Sequence, residues 1–246
     1  MGTWLVKPQF CNTKTVINIQ NGSKRQGGPY FLFDTLHNKI ERFCATNFTI
    51  TNTNRFENVK KEKMFFNFFS KKKEGRELSN FYEGVVVLDD ERRYGSGEAA
   101  FHGSKYMKVG DTTNEPNRKQ ELYEYAKKFE LGQEFSSLSE NEIKKRGGKG
   151  KQGMKLGANE IKKWEKVCLD VQREICKYKY KNDDNVRQVL DSTIGKVLIH
   201  PAMRCNREKV KNRLWEGRGE ICDDKLVVLG GNMLGNIWME IRDSDV

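Results

Sequence analysis

The spacing of apolar residues changes near residue 60, from short alternating runs to long helical stripes. Before that point, TVINI, YFLF and FTITNT are separated by NGSKRQGG and by stretches rich in Asn and Thr, a pattern typical of strands joined by turns. We therefore predict an N-terminal extension with short strands over residues 1–62 and a main domain over residues 63–246.

The main domain opens with a predicted hairpin and helix. The runs GVVVL and RRY flank the turn DDE, and Ser96 then stands where it can cap a helix. This helix carries two stripes, one of core residues (Ala100, Gly103 and Met107) and one of candidate site residues (Glu98, Phe101, His102 and Lys105).

Further periodic segments follow. Ser139 and Glu142 form a capping box, and the strongest helix starts near Asn159. The runs KVLIH and KLVVLGG predict strands, and Asn232 opens a final amphipathic helix. These elements together predict an α+β fold that is mainly α-helical.

Cysteine and histidine usage disfavours several classes of site. The 246 residues include six scattered cysteines with no CxxC pair and only three histidines. The chain also has no GxSxG elbow, no HExxH and no Walker-type GxxxxGK[ST]. We expect neither a metal nor a cofactor, and the absence of a disulfide framework favours a reducing compartment.

Hydropathy predicts a soluble, intracellular protein of the cytoplasm or nucleus. No apolar run approaches the length of a membrane-spanning helix, and the start, MGTWLVKPQF, lacks the regions of a signal peptide. Oligomeric state has no signal in the sequence.

The formal net charge of +11 makes a polyanionic partner plausible, because lysine and arginine release counterions when they meet phosphates. Lysine-rich solubility explains the same charge equally well. The segment at residues 147–153, GGKGKQG, allows a similar pair of interpretations: a phosphate cradle or a flexible basic linker.

Glu98 is the most informative candidate. A carboxylate in the first turn of a helix lies among free backbone N–H groups at the positive end of the helix dipole, which favours its ionised form. Such a group suits stabilising a cationic transition state or activating a water molecule. Lys105 lies two turns along the same stripe, so both side chains can reach a common pocket. An ordinary helix-start glutamate is the alternative.

Two tryptophans offer aromatic surfaces on which a nucleobase could stack. Trp164 belongs to an apolar stripe and is best interpreted as core. Trp215 lies in RLWEGRG, beside glycines that would let a ligand approach, so a pocket role is favoured there.

The segment FFSKKKEGRELSNFYEGVVVLDDERRYGSGEAAFHGSKYM resembles the opening of the NADAR superfamily, also called the YbiA-like fold. The resemblance continues through KWEKV, LWEG and GGNMLGNIWMEIR in the same order, and covers roughly residues 65–243. It implies a YbiA-like domain that cleaves N-glycosidic bonds and begins with a short aromatic strand at Phe68 and Phe69, preceded here by the β-rich extension.

The resemblance also implies a site. Glu98 matches the catalytic glutamate and Lys105 the lysine that follows it. The residues implied to bind substrate are Ser79, Asn80, Phe81, Trp215, Gly217 and Asn232. Ala99 and Asn212 depart from the family pattern, which commonly has histidine and aspartate there.

Three functions follow from the resemblance. The favoured one is removal of ADP-ribose from modified guanine in nucleic acid, DNA above all, through an oxocarbenium-like centre that faces Glu98. A second is an N-glycosidase for reactive riboflavin-pathway intermediates. The third, suggested by Ala99 and Asn212, is a non-catalytic module that binds ADP-ribose or nucleic acid. Glu216 and Glu240 are weak candidates for the proton donor, and Lys105 is another.

Overall fold

The computed structural model describes residues 64–88, 91–148, 152–222 and 225–244, and the backbone of four short strands nearer the N-terminus. The strands are β1 (Thr15–Asn18), β2 (Tyr30–Asp34), β3 (Lys39–Phe43), β4 (Phe48–Asn52), β5 (Phe65–Asn67), β6 (Glu83–Leu88), β7 (Arg92–Ser96), β8 (Val197–Ile199), β9 (Arg218–Cys222) and β10 (Lys225–Leu229). The helices are α1 (Gly97–Asp111), α2 (Pro116–Lys127), α3 (Glu140–Gly147), α4 (Ala158–Asn182), α5 (Asp184–Asp191), α6 (Arg207–Val210) and α7 (Met233–Asp243). The fold is therefore a mixture of α and β structure.

One compact unit, here named the sheet unit, consists of the described residues up to Asn67 together with Thr193–Met239. Its largest sheet has the antiparallel order β1-β4-β10-β9, in which Ile50 lies opposite Leu226. Strands predicted in the first 62 residues thus share a sheet with a strand from the C-terminal part of the chain. The predicted boundary between extension and main domain stays a prediction.

Two details of the sheet unit differ from the sequence pattern. The resemblance placed a short aromatic strand at Phe68 and Phe69, whereas β5 ends at Asn67. The run MFFNFF is almost continuously apolar, so it contains no alternation that fixes strand bounds. Strand β9 was not predicted, because RGEIC contains only one large aliphatic residue.

The second compact unit, here named the helical unit, consists of Phe68–Ser192 with residues 240–244. The hairpin of β6 and β7 leads directly into α1, as the sequence predicts. The core contains an aromatic cluster from α1, α2 and the turn that follows α2, including Tyr106, Tyr125, Phe129 and Phe135.

Helix α1 is buried on almost every side, which allows it to carry both core and site residues. Gly103 permits a close approach: a Cβ there would lie 2.5 Å from Cε1 of Tyr94, whose ring is buried. The smallest residue therefore stands where α1 meets the last strand before it.

Helix α4 buries one face along its second half. Cys168, Val171 and Ile175 are core residues on this face, as the periodicity predicts. Gln172 and Lys179 are buried on the same face although both are polar. Buried polar groups need hydrogen-bond partners. This face of α4 therefore makes hydrogen bonds to other parts of the helical unit in addition to packing against its core.

The described residues contain neither a membrane-spanning helix nor a cluster of metal ligands. Within those residues, no helix combines the length and the apolar character that crossing a bilayer requires. The same part of the chain brings no three side chains of the His, Cys, Asp and Glu types into an arrangement that could hold a metal ion.

Candidate functional site

The junction between β7 and α1 builds the centre of the candidate site. Ser96 has extended backbone geometry, and its hydroxyl accepts a hydrogen bond from the N–H of Ala99 at 3.2 Å, so it caps α1 as predicted. The N–H of Glu98 donates to the carbonyl of Asn80 at 2.9 Å. The first turn of α1 is thereby fixed both by its own cap and by the loop that contains Asn80.

Glu98 lies buried in this first turn, with a relative exposure of 8%. Its Oε1 atom is 3.2 Å from Nε2 of His102, one turn along the helix. Because a carboxylate accepts hydrogen bonds, the ring nitrogen that faces it carries the hydrogen. Glu98 is therefore held in one orientation by a neighbour on its own helix.

His102 stays uncharged in this setting. Burial lowers its pKa, and the nearby ammonium groups of Lys105 and Lys144 add to the lowering, while Glu98 opposes it. Its Nδ1 atom is buried and has no hydrogen-bond partner among the described residues. The ring faces the backbone of Gly147, where no side chain would fit. The sequence placed this histidine on the stripe of candidate site residues without a specific role, and the structure places it against the candidate carboxylate.

Lys105 is buried two turns from Glu98 on α1. Its Nζ atom donates to the carbonyl of Gly147 and lies 4.4 Å from the ring centroid of Tyr106. The hydroxyl of Tyr106 donates to the carbonyl of Met154 at 3.1 Å, and burial raises the pKa of this tyrosine. Lys105 thus joins α1 to the end of α3, while its predicted role toward substrate stays a prediction.

The loop at residues 79–81 is held by its own hydrogen bonds and by α4. The hydroxyl of Ser79 accepts from the N–H of Phe81 at 3.1 Å. Asn80 and Gln172 exchange two hydrogen bonds between their side-chain amides, at 2.8 and 3.0 Å. The side-chain amide of Asn80 is predicted to bind substrate. In the structure one donor and one acceptor of this amide already bond to Gln172 and hold the loop in position.

Lys179 supports the same loop from below. Its Nζ donates to the carbonyls of Glu77 and Ser79, both at 2.8 Å, and lies 5.6 Å from the ring centroid of Tyr82. Burial lowers the pKa of Lys179 to about 8, against the partial opposition of nearby acidic groups that include Glu140. The loop is consequently anchored by a buried amine.

The ammonium of a lysine lies over an aromatic ring at the edge of the site. The Nζ atom of Lys144 is 5.4 Å from the ring centroid of Phe81. Lys144 is exposed, and Phe81 is half-buried. A base can stack on such a ring while the ammonium meets a phosphate, as in many proteins that bind nucleic acids.

The other predicted binding residues belong to the sheet unit. The N–H of Gly217 donates to the carbonyl of His200 at 2.7 Å, and a Cβ on Gly217 would lie 2.8 Å from Cβ of Asn232. The Asn232 side chain accepts from the N–H of His200 at 3.0 Å and donates to the carbonyl of Leu198 at 2.8 Å. Asn232 precedes α7, as predicted, and its side chain contacts β8. Trp215 is partly buried in this unit.

The weak candidates for a proton donor have partners of their own. Glu240 accepts from Nε of Arg173 at 3.1 Å, and Glu216 lies 3.7 Å from Nε of Arg213. Trp164 packs edge-on against Phe101 at 5.0 Å between ring centroids, in agreement with a core role.

Two open clefts lie apart from Glu98. The first, of about 750 Å³, is in the helical unit and is lined by Arg92, Lys108 and Lys127 among others. The second, of about 600 Å³, is in the sheet unit and is lined by Arg204 and Arg218 among others. Glu98 lines neither of these clefts. The buried polar cluster marks the candidate site instead, because polar groups are costly to bury and perturbed titratable groups concentrate at functional sites.

The sequence interpretation missed Gln172, Lys179 and Glu140. Gln172 and Lys179 carried a usable signal, since they continue the apolar stripe of α4 at helical spacing. A polar residue on a buried stripe must have a partner. Glu140 had no such signal, because only the fold brings its carboxylate to Ser96, at 2.9 Å.

Comparison with known proteins leaves the family open. The chain matches no protein-family model and no curated protein sequence. It is similar to the NMR structure of the E. coli protein YbiA, with a TM-score of 0.45 and 19% sequence identity over 77% of this chain and 88% of that chain. A likeness this distant establishes no activity, so the resemblance to the NADAR superfamily rests on the sequence motifs.

Proposed function

We propose that this protein is an N-glycosidase that releases ADP-ribose from modified guanine in nucleic acid, with Glu98 as the catalytic carboxylate. The observation that carries the proposal is the placement of Glu98 in the first turn of α1, buried and oriented by the 3.2 Å contact with His102. The sequence motifs supply the substrate class, and the geometry supports the chemistry.

The reaction breaks the bond between the anomeric carbon of ribose and a nitrogen of the base. Positive charge develops on the sugar in the transition state. Glu98 faces that charge and takes a proton from the attacking water, and a neutral His102 orients the carboxylate without cancelling its charge. Removal of bulk water from the buried centre strengthens the attraction between carboxylate and sugar.

The loop at residues 79–81 and the neighbouring Lys144 are proposed to bind the substrate. The hydrogen bonds from Lys179 and Gln172 hold the loop at residues 79–81 in place, so substrate does not have to order it. Phe81 offers an aromatic ring, and Lys144, whose ammonium lies over that ring, offers a positive charge. The formal net charge of +11 would draw a polyanion to the protein and has less use for a small flavin precursor.

A direct assay tests the proposal. The protein is incubated, with and without EDTA, with an oligonucleotide that carries ADP-ribosylated guanine, and restored guanine is followed by mass spectrometry. Restoration that survives EDTA is expected. Turnover of a ribosylamino-pyrimidine instead would move the function to riboflavin intermediates, and tight binding of ADP-ribose without turnover would leave a binding module.

The salt dependence of the rate distinguishes a nucleic-acid substrate from a small ADP-ribosyl nucleoside. Hydrolysis of the modified oligonucleotide should slow steeply as salt is added, because binding releases counterions from the phosphates. Hydrolysis of the free ADP-ribosyl nucleoside should respond much less. Equal dependence for both substrates would contradict a nucleic-acid groove.

A further inference from the structure

A second carboxylate is tied to the first turn of α1. Glu140 is the first residue of α3, and its Oε2 atom accepts a hydrogen bond from the hydroxyl of Ser96 at 2.9 Å. Ser96 is fully buried, and the same hydroxyl caps the helix that carries Glu98. One serine therefore joins Glu140 to the turn that positions the candidate catalytic carboxylate.

The surroundings of Glu140 favour its protonated form. The pKa of Glu140 is raised to about 7, mainly by burial. The negative charges of Glu98 and Glu83 contribute to the rise, whereas the hydrogen bond from Ser96 and the charge of Lys179 oppose it. These groups come from α1, β6, β7 and α4. A carboxyl group whose pKa is raised in this way can donate a proton near neutral pH.

The histidine of this cluster is fixed on both sides. Nε2 of His102 contacts Oε1 of Glu98, and the ring packs against the backbone of Gly147 at the end of α3, the helix that Glu140 begins. The start and the end of α3 therefore both contact the part of α1 that carries Glu98.

We propose that Glu140 is the proton donor to the leaving base, an inference that rests on the proposed glycosidase function. As the bond between the anomeric carbon and the base nitrogen breaks, its electron pair stays on nitrogen, and the carboxyl proton of Glu140 moves to that nitrogen. Water forms the new bond to the anomeric carbon and gives its proton to Glu98. The products are ADP-ribose and the unmodified base, and solvent returns the proton from Glu98 to Glu140.

This assignment separates the two carboxyl groups by task. Glu98 must be ionised to face the sugar cation, and Glu140 must be protonated to release a base whose nitrogen leaves poorly as an anion. A substrate with a good leaving group needs Glu98 and does not need Glu140. If Glu140 had only a structural role, its replacement would slow both substrates equally. Unequal losses therefore distinguish a proton donor from a structural residue.

The experiment compares Glu140→Gln with the unmodified protein on two substrates, ADP-ribosylated guanine in an oligonucleotide and 4-nitrophenyl ADP-riboside. Glutamine keeps an oxygen that accepts from Ser96 but has no acidic proton. We expect a loss of about 100-fold or more on the guanine substrate, the contribution typical of general acid catalysis, and little loss on the nitrophenyl substrate. Glu142→Gln, which changes a carboxylate of α3 that pairs with Lys145, is the matched control.

The pH profile gives a second readout. In the unmodified protein the rate on guanine should fall as the pH rises through about 7, the pKa of Glu140, and Glu140→Gln should lack this alkaline limb. Ser96→Gly removes the hydrogen bond that lowers this pKa, so it should move the limb to higher pH, and glycine is tolerated at a helix N-cap. This variant also covers the case in which Glu140→Gln does not fold.

Two results would overturn the inference while leaving the glycosidase in place: equal losses on both substrates, or an alkaline limb unchanged in both variants. Failure of the unmodified protein to cleave either substrate would overturn the proposed function itself, and the role of Glu140 with it.

Discussion

Nε2 of His102 lies 3.2 Å from Oε1 of Glu98, and burial keeps this histidine neutral. A neutral imidazole can hold a carboxylate by a hydrogen bond and leave its charge available, whereas an imidazolium would neutralise it. The pairing therefore orients the Glu98 carboxylate without neutralising it, whereas the burial of His102 makes the stability of the fold sensitive to pH.

His102 should account for part of any loss of stability in mild acid. Its pKa in the fold lies below the value near 6.5 of an exposed histidine, so the unfolded chain takes up a proton first as the pH falls. The free energy of unfolding should then drop between about pH 7.5 and about pH 5.5, and drop less in His102→Gln. Urea unfolding at both pH values measures this. Glu140 acts with the opposite sign, but it is present in both proteins. An identical drop in both would contradict the assignment.

Asn80 and Gln172 should be energetically coupled. Truncation of either residue to alanine leaves the other amide without its partner, and an unsatisfied buried amide costs about 1–3 kcal/mol. The double variant should lose clearly less stability than the sum of the two single variants, with a coupling of about 1 kcal/mol. Denaturant unfolding of the four proteins completes the cycle. Additive losses would show that the paired amides do not stabilise the loop.

Removal of the buried amine at residue 179 should loosen the loop above it. The Lys179→Met side chain has a similar length but cannot donate to the carbonyls of Glu77 and Ser79. The N–H of Tyr82, which donates to Ser79, should then exchange faster with solvent, as hydrogen exchange can measure. Lys177→Met, at an exposed position of the same helix, is the control. Unchanged protection in Lys179→Met would remove this anchor from the account.

Packing at Gly103 should be intolerant of a methyl group. Gly103→Ala places a Cβ 2.5 Å from the buried ring of Tyr94, a contact that requires α1 or β7 to shift. We expect a loss of about 1–3 kcal/mol, as for other overpacked cores. At Gly95 the corresponding contact, with Leu131, is an ordinary 3.6 Å, so Gly95→Ala should change stability by less than about 0.5 kcal/mol. Equal effects on denaturant unfolding would contradict this account of the helix and strand contact.

Local signals predicted those parts of the site that depend on neighbours in sequence. Ser96 and Glu98 were found because a helix cap and a first-turn carboxylate follow from the spacing alone. The core face of α4 was likewise readable from its period. The resemblance to the NADAR superfamily directed attention to Ser79, which local pattern alone would have left among many polar residues, whereas Lys105 was already a candidate from its helical spacing.

Contacts between distant residues were not predictable in this way. Gln172 meets Asn80 across 92 positions, and Glu140 meets Ser96 across 44, so neither pairing exists before the chain folds. Lys179 lies in the run KYKYK, whose composition indicates a solvated surface although its helical spacing continues the buried stripe of α4. Because Lys179 is buried, its ammonium needs hydrogen-bond partners that offset the cost of desolvation. The carbonyls of Glu77 and Ser79 are those partners.

The central claim is that Glu98 performs the chemistry, and one substitution tests it most directly. Glu98→Gln keeps the size of the side chain and removes its charge. The rate of guanine restoration from an ADP-ribosylated oligonucleotide should fall at least ~100-fold, the loss typical of one positioned catalytic group, while Glu165→Gln, an exposed change on α4, should retain the rate. Thermal unfolding of both variants shows whether the fold is kept. Near-normal turnover by a folded Glu98→Gln protein would contradict the account.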